Sequence, residues 1–199
     1  MTELRNESRR RLVTAFAATT AVTWVAPSVV GLDRVAAASP SAGPAGPPTL
    51  TGAATAGTLA LGESLRPEGV PYSSNTQFFV FEEQCVTLNS TQTTDSGDTL
   101  PTGQLITSHL IHNSPASGTA TLSGSVTFPG TIIGYDFTDA GLAATDAQWG
   151  VPGVNYGVGR RRMELPGNDT VTFTGLGTVD LTMFASFAFV DQIRIYVVY

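Results

Sequence analysis

The sequence predicts an all-β fold, a two-sheet sandwich of the jelly-roll type with one short helical turn. Seven segments are rich in aromatic and β-branched residues, and glycine, proline, asparagine, aspartate or serine bounds each of them, which is typical of strands. Seven or more short strands in a domain of this length favour a sandwich. The predicted strands are residues 78–88, 105–112, 119–128, 131–137, 171–173, 179–189 and 193–199.

The first 38 residues predict an export signal peptide. Arginines at positions 9–11 precede a mildly apolar, alanine-rich stretch over residues 12–32, and three alanines at 36–38 form a small-residue cleavage site. The arginine pair after Ser8, followed by two apolar residues, is typical of twin-arginine export. Threonines and a proline weaken the apolar stretch, so we expect cleavage rather than a membrane anchor. The expected product is secreted and extracellular, with no membrane insertion after processing.

Residues 39–71 are predicted to be a linker and a transition into a folded domain at residues 72–199. The linker is rich in proline, glycine and alanine, and a segment with so little to bury stays extended and flexible. Pro67-Glu68-Gly69 within it is typical of a turn.

Side-chain alternation predicts which strand residues face the core. In residues 119–128 the apolar side chains fall on even positions, among them Leu122 and Val126, and polar side chains occupy the odd positions. The helical turn is predicted at residues 138–149, where Asp139 is a suitable cap.

Composition limits the partners. The chain has 10 arginines, no lysine and 16 acidic residues, and without the first 38 residues its net charge is about −8. Such an acidic surface argues against nucleic acid and against anionic membranes. An extracellular glycan or a surface protein is the expected partner. Cys85, the single cysteine, has no disulfide partner in the chain and is predicted to be buried as a small apolar residue.

The two histidines do not predict a metal site or a catalytic triad. His109 and His112 lie three residues apart in a predicted strand, so their side chains should point to opposite faces and cannot bind one ion. The chain has no further histidine, one cysteine and no Gly-x-Ser-x-Gly motif. We therefore assign no catalytic residue, and the sequence favours a protein that is not an enzyme.

Four residues are predicted to bind a ligand: Arg160, Arg161, Trp149 and Tyr156. The arginines belong to a basic cluster that stands out in an acidic chain, and arginine suits carboxylate or sulfate groups. The two aromatic side chains could stack on sugar rings.

A structural calcium ion is the one cofactor that the sequence suggests, with Glu82, Glu83 and Asp191 as ligands. Oxygen ligands suit Ca²⁺, and these carboxylates belong to the first and last predicted strands, which would have to be neighbours. Asp139 and Asp146 form a second pair, and the choice between the two sets stays open.

Several stretches of the domain form a familiar pattern: residues 108–112, 124–128, 132–134, 150–156, 163–165 and 191–195, with Leu142, Thr145 and Asp146. Together they resemble a group of uncharacterised secreted bacterial β-sandwich domains, some of which carry PEP-CTERM-type sorting tails. The resemblance implies a β-sandwich outside the cell and brings no known activity with it. This chain has no such tail, so covalent surface attachment is not expected.

Three functions follow as expectations. The first is an exported, non-catalytic sandwich that binds or assembles at the cell exterior, with carbohydrate as a suitable ligand. The second is an extracellular glycan hydrolase, which needs two carboxyl groups across a cleft. The third is a structural component of a surface layer or matrix. The carboxylates available to a hydrolase are Glu82 or Glu83 together with Asp146, Glu164 or Asp191.

Overall fold

The computed structural model describes residues 46–65, 71–157 and 159–199. The predicted leader and the start of the linker lie outside these residues. The described residues form eleven strands and one helix, α1 (Asp139–Trp149). The strands are β1 (Thr49–Gly52), β2 (Ala54–Ala56), β3 (Phe78–Thr87), β4 (Gln92–Thr93), β5 (Thr99–Leu100), β6 (Leu105–Asn113), β7 (Thr119–Thr127), β8 (Thr131–Asp136), β9 (Thr170–Phe173), β10 (Thr178–Ser186) and β11 (Asp191–Val198).

Two sheets face each other. The outer sheet has the strand order β1-β7-β10-β9 and is antiparallel throughout. The central sheet has the order β2-β3-β6-β11-β8 and is antiparallel except for the parallel pair β2 and β3. Strands β4 and β5 form a separate hairpin. The all-β sandwich is confirmed, and all seven predicted strands are present, whereas the jelly-roll type stays a prediction.

The main core lies between the two sheets and follows the predicted alternation. Leu122 and Val126 of β7 are buried, whereas Ser123 and Ser125, at the odd positions between them, are more exposed. Strand β10 alternates in the same way. Because side chains alternate across a strand, one face of the outer sheet is apolar and packed while the other is polar. The central sheet contributes Val80, Ile111 and Ile193 to this core.

The central sheet is buried on its second face as well, because α1 and several loops cover it. Strands β6 and β11 are buried along almost their whole length. Leu142 of α1 packs on Phe81 and Leu110. In the described residues this helix is too short and too polar to cross a membrane.

The helix lies within the predicted segment and spans 11 residues, but its cap is a different residue. Thr138 is the N-cap, and its side chain accepts a hydrogen bond from the Gly141 N–H. The Asp95 carboxylate accepts from the N–H and the hydroxyl of Thr138, which fixes the start of the helix. Asp139, which the sequence suggested as the cap, is the first helical residue instead.

The predicted linker ends earlier than expected. Residues 49–56 form β1 and β2, and these strands pair with β7 and β3 respectively. The chain crosses from one sheet to the other between them, and Leu50, Ala53 and Ala54 pack against the main core. Low-complexity composition predicted a flexible segment, but small side chains are what a strand crossing a crowded sandwich edge requires.

Candidate functional site

A pocket of about 430 Å³ lies at one end of the sandwich, where β10 ends and β11 begins. The segment of residues 160–164 and the first residue of α1 complete its wall. We call it the strand-end pocket. Its lining combines charged groups, a hydroxyl and two aromatic rings: Asp139, Arg160, Arg162, Glu164, Phe184, Ser186, Phe189 and Asp191.

Hydrogen bonds hold Arg160 in an unusual backbone conformation at this pocket. Its φ is 60°, in the left-handed region that residues other than glycine rarely adopt. The Asp139 carboxylate accepts from the N–H groups of Arg160 and Arg161, at 3.2 and 2.8 Å, and the Arg160 carbonyl accepts from the Val190 N–H at 2.9 Å. The guanidinium lies 5.2 Å from the ring centroid of Phe189. Strain of this kind persists only where its surroundings enforce it, and it is concentrated at functional sites.

Residues 160–164 alternate between solvent and interior. Arg161 and Met163 are buried, whereas Arg160, Arg162 and Glu164 are exposed. The Gln192 N–H donates to the Arg161 carbonyl at 3.0 Å, which aligns the segment with the start of β11. Neither of the two pocket arginines forms an ion pair with another described residue. Their charges are therefore available to a ligand.

Asp191 lies at the base of the pocket and is almost completely buried, with 3% of its surface exposed. Its Cα is the register partner of Asn113 on β6. The Asn113 amide nitrogen donates to the Met183 carbonyl at 3.3 Å. The Oδ1 atom of Asn113 and the Oδ2 atom of Asp191 have no hydrogen-bond partner among the described residues.

Burial raises the pKa of Asp191 to about 9, and the nearby carboxylates of Asp169 and Glu164 add to the shift. The Asn113 side chain opposes it in part. The N–H groups of Glu164 and Phe184 hold Asp169 in place, because they donate hydrogen bonds to its two carboxylate oxygens at 2.5 and 2.7 Å. Asp191 is therefore a neutral carboxylic acid at pH 7.

The strand-end pocket offers groups that a polyhydroxylated ligand would engage. The arginines donate hydrogen bonds, the Glu164 carboxylate accepts them, and the Phe189 ring, 48% exposed, offers a face for stacking. Concave sites that combine a few such polar groups with aromatic rings are typical ligand sites.

No family model, curated protein or solved structure matches this chain. The geometry of the pocket therefore carries the functional argument.

Three of the four predicted binding residues are interior residues. Arg161 is buried, with both terminal nitrogens on the Asp146 carboxylate and its Nε donating to Gln192 Oε1 at 2.7 Å. Trp149 has no exposed surface, and its indole N–H donates to Gln92 Oε1 at 3.1 Å. A ring buried in this way cannot stack on a sugar.

Tyr156 is the third of these interior residues. The guanidinium groups of Arg161 and Arg194 each lie 5.5 Å from the centroid of its ring. Its hydroxyl accepts from the Val151 N–H at 2.6 Å, and burial raises its pKa above the ordinary range. Among the predicted binding residues the pocket thus takes in Arg160 alone.

The structure does not bring Glu82, Glu83 and Asp191 together. Glu83 is fully engaged by the guanidinium of Arg194. Glu82 is paired in register with His109 on β6 and Asp191 with Asn113, four residues further along, which separates them by about 13 Å along the strand direction, with β6 between them. In the described residues no group of three or more histidine, cysteine, aspartate or glutamate side chains could hold a metal ion.

The predicted geometry of the two histidines is confirmed. His109 points between the sheets, where its ring lies 4.6 Å from that of Phe128 and Nε2 is 3.2 Å from the Tyr199 hydroxyl. His112 points to the helix side, where Nδ1 is 3.0 Å from the Gln192 amide nitrogen. Burial lowers the pKa of each to about 3, so both are neutral at pH 7.

Cys85 is half-buried rather than buried as predicted, and the Thr107 hydroxyl donates to its sulfur at 3.4 Å.

A larger, shallower groove of about 850 Å³ runs along the C-terminal half of α1. Backbone and small apolar side chains of residues 147–157 form most of its wall. Its one carboxylate, Asp146, is already paired with Arg161 and Arg194. The groove therefore offers a ligand the side-chain amides of Gln84, Gln148 and Asn155 but no unpaired charge from its lining residues.

Sequence reasoning missed five residues of the strand-end pocket, namely Asp139 as a wall residue, Arg162, Phe184, Ser186 and Phe189. A signal for Arg162 was present, because the order Arg160-Arg161-Arg162-Met163-Glu164 alternates as a strand does and assigns Arg160 and Arg162 to one face. No local signal links this segment to Phe189 on the turn before β11.

Proposed function

We propose that this chain is an exported, non-catalytic β-sandwich that binds an acidic carbohydrate outside the cell through the strand-end pocket. The observation that carries the proposal is the pair Arg160 and Arg162. Two arginines without an ion-pair partner among the described residues line one concavity beside an exposed phenylalanine.

The charge of the pocket supports an anionic ligand. The Asp139 carboxylate is already bound by two backbone N–H groups, and Asp191 is neutral. Glu164 is then the remaining carboxylate of the lining. It lies in the same pocket as the two guanidinium groups, and backbone N–H groups do not bind it as they bind Asp139. Arginine binds carboxylate and sulfate groups with paired hydrogen bonds, and the remaining polar groups suit sugar hydroxyls.

The location outside the cell is inferred from the sequence. The arginine pair, the apolar stretch and the alanine site in the first 38 residues are typical of an export signal. The acidic composition of the rest of the chain argues against nucleic acid, so attraction for an acidic glycan has to come from the two arginines of the pocket.

Calorimetric titration with oligogalacturonate, dextran sulfate and uncharged dextran tests this function. We expect the wild-type protein to bind at least one of the two acidic probes and not uncharged dextran. Arg160→Ala and Arg162→Ala should each weaken that binding by about tenfold or more. Thr121→Ala, on the exposed face of the outer sheet, is the control and should bind as the wild type does. Binding that is equal in the arginine variants, or absent for both acidic probes, contradicts the proposal.

A glycan hydrolase is the second candidate, because Glu164 and Asp191 line the same pocket. A neutral carboxyl beside a second carboxyl group is the arrangement that general acid catalysis on glycans uses. The other predicted acids do not serve this role, since Glu83 and Asp146 are bound to buried arginines. Release of reducing ends from oligogalacturonate, abolished in both Glu164→Gln and Asp191→Asn, would establish catalysis. Binding without such release favours the first candidate.

A further inference from the structure

We propose that a proton on Asp191, shared with Asn113, is what allows the strand-end pocket to hold an anionic group, and that loss of this proton releases the ligand. The inference rests on the proposed function, since it concerns the same pocket and ligand class. It adds a protonation state as a condition of binding.

The hydrogen-bond pattern around Asp191 calls for a donor. Asn113 uses its amide nitrogen on the Met183 carbonyl, so its Oδ1 is the atom of that side chain left without a partner. The Oδ2 atom of Asp191 is also unpartnered, and the two residues face each other in register on β6 and β11. Both atoms are acceptors when the carboxyl is ionised. A proton on Asp191 supplies the donor that these two acceptors lack, whereas the Asn113 side chain, which favours the ionised carboxyl, opposes this proton in part.

The charges that face Asp191 make ionisation unfavourable for the site. Strand β6 contributes the uncharged Asn113, and β10 contributes Ser186. The segments around them contribute two positive and three negative groups: Arg160 and Arg162 against Asp139, Glu164 and Asp169. The two arginines balance the Asp139 and Glu164 charges of the lining. The protonation state of Asp191 therefore decides whether that lining is neutral or net negative.

An added negative charge at the base of the pocket acts directly on an anionic ligand. Asp191 itself is shielded from water, and like charges repel more strongly in such surroundings than in bulk solvent. The raised pKa of Asp191, about 9, places the change within an accessible pH range. The same carboxyl would be ionised if a divalent cation occupied the site, so the proton and a cation are competing explanations for its unpartnered oxygen.

The first experiment measures oligogalacturonate affinity by calorimetry at pH 7 and pH 10. The wild-type affinity should fall by about tenfold or more at the higher pH, since a charge is added beside the ligand. In Asp191→Asn the ratio of the two affinities should be close to one. Asp98→Asn, an exposed carboxyl on the turn between β4 and β5, is the matched control and should keep the wild-type ratio. An unchanged ratio in Asp191→Asn overturns the proposal.

The second experiment does not depend on a ligand. Carbon-detected NMR of the wild-type protein follows the Asp191 carboxyl through a pH titration, with Asp191→Asn used to assign the signal. A titration midpoint near pH 9 supports the proton, and one below about pH 5 overturns the proposal even if the sugar binds. If the midpoint is near 9 but oligogalacturonate fails to bind at any pH, the proposed function fails for this probe and the protonation stands. A midpoint that CaCl₂ moves below pH 5 assigns the site to a cation and overturns the proton.

Discussion

Arg194 and Glu83 form a bidentate ion pair in which neither side chain has any exposed surface. The Nε and Nη2 atoms of Arg194 lie 2.7 and 2.9 Å from the two Glu83 oxygens, and the pair joins β11 to β3 across β6. Nη1 donates to the Thr145 hydroxyl at 2.7 Å and to the Leu142 carbonyl. Burial alone would lower the pKa of Arg194, but the adjacent Glu83 carboxylate raises it above its ordinary value. This ion pair therefore attaches α1 to the central sheet.

Removing one member of the pair should be costly. Glu83→Gln removes the fully buried counter-charge of Arg194 and leaves only Asp146, which Arg161 shares, so we expect the free energy of unfolding to fall by about 3 kcal/mol. Urea denaturation at pH 7 measures the change, with Asp98→Asn as an exposed control near zero. The double variant Glu83→Leu with Arg194→Met should recover most of the loss, because it removes both charges. A loss under about 1 kcal/mol for Glu83→Gln would show that water reaches the pair.

The alternating strands could be predicted from the sequence, but this ion pair could not. The residues around Leu122 predict a strand with one buried face, because side-chain alternation can be recognised within a few consecutive residues. Arg194 stands in a similar alternating pattern, which predicts exposure for it. Its partner is 111 positions away, and the helix that covers both has no strong apolar face of its own. Arg194 is buried because α1 and several loops cover the second face of the central sheet, and this packing depends on how the layers assemble.

The strand-end pocket, too, could be predicted from the sequence only in part. The arginine cluster drew attention to the right segment, but the choice of Arg161 as a binding residue failed because Asp146 and Gln192 hold it inside. The role of Asp191 depends on burial beside Asn113, and burial of a carboxyl cannot be seen in a sequence.

Acid should destabilise the fold through the two histidines. Both have a folded-state pKa of about 3, below the value of 6.5 expected when unfolded. Their contribution to stability is therefore complete above pH 6.5 and is lost as the pH falls toward 3, because the unfolded chain takes up the protons. We expect a loss on the order of 2 kcal/mol per histidine at pH 4.5.

Urea denaturation at pH 7 and pH 4.5 checks this expectation in the wild type and in the variants His109→Gln and His112→Gln. Each variant should lose less stability on acidification than the wild type. Asp191 acts in the opposite sense. Because its pKa is raised, its contribution to stability is complete below about pH 4 and is lost as the pH rises through 9. Asp191→Asn should therefore lose less stability than the wild type as the pH is raised toward 9. Equal losses of stability between pH 7 and pH 4.5 in the wild type and both histidine variants would show that the histidines do not cause the acid effect.

Gly124 allows β1 to pair with β7, and Gly124→Ala should displace β1. A Cβ at this position would lie 2.6 Å from the Thr51 carbonyl oxygen and 3.1 Å from the Ala53 nitrogen, both backbone atoms. We expect a loss of about 1–3 kcal/mol, as for other overpacked sites. Hydrogen exchange should show reduced protection of the β1 amides in Gly124→Ala, while Thr121→Ala on the same strand keeps it. Unchanged protection would mean that residues 49–52 add little to the fold, as their composition had suggested.

Arg160 combines backbone strain with a proposed binding role, and two substitutions separate them. Arg160→Gly removes the side chain and relieves the left-handed backbone, whereas Arg160→Ala removes the side chain and keeps the strain. The glycine variant should therefore be more stable than the alanine variant by about 1 kcal/mol, as measured by urea denaturation.

Both variants should lose oligogalacturonate binding to a similar extent if the guanidinium is the group that contacts the ligand. A glycine variant that is more stable than the wild type yet no longer binds would show that the strained conformation is kept for function rather than for folding. Two variants of equal stability would mean that the hydrogen bonds from Asp139 and Val190 do not enforce the conformation, and Arg160 would then lie at the pocket by side-chain packing on Phe189 alone.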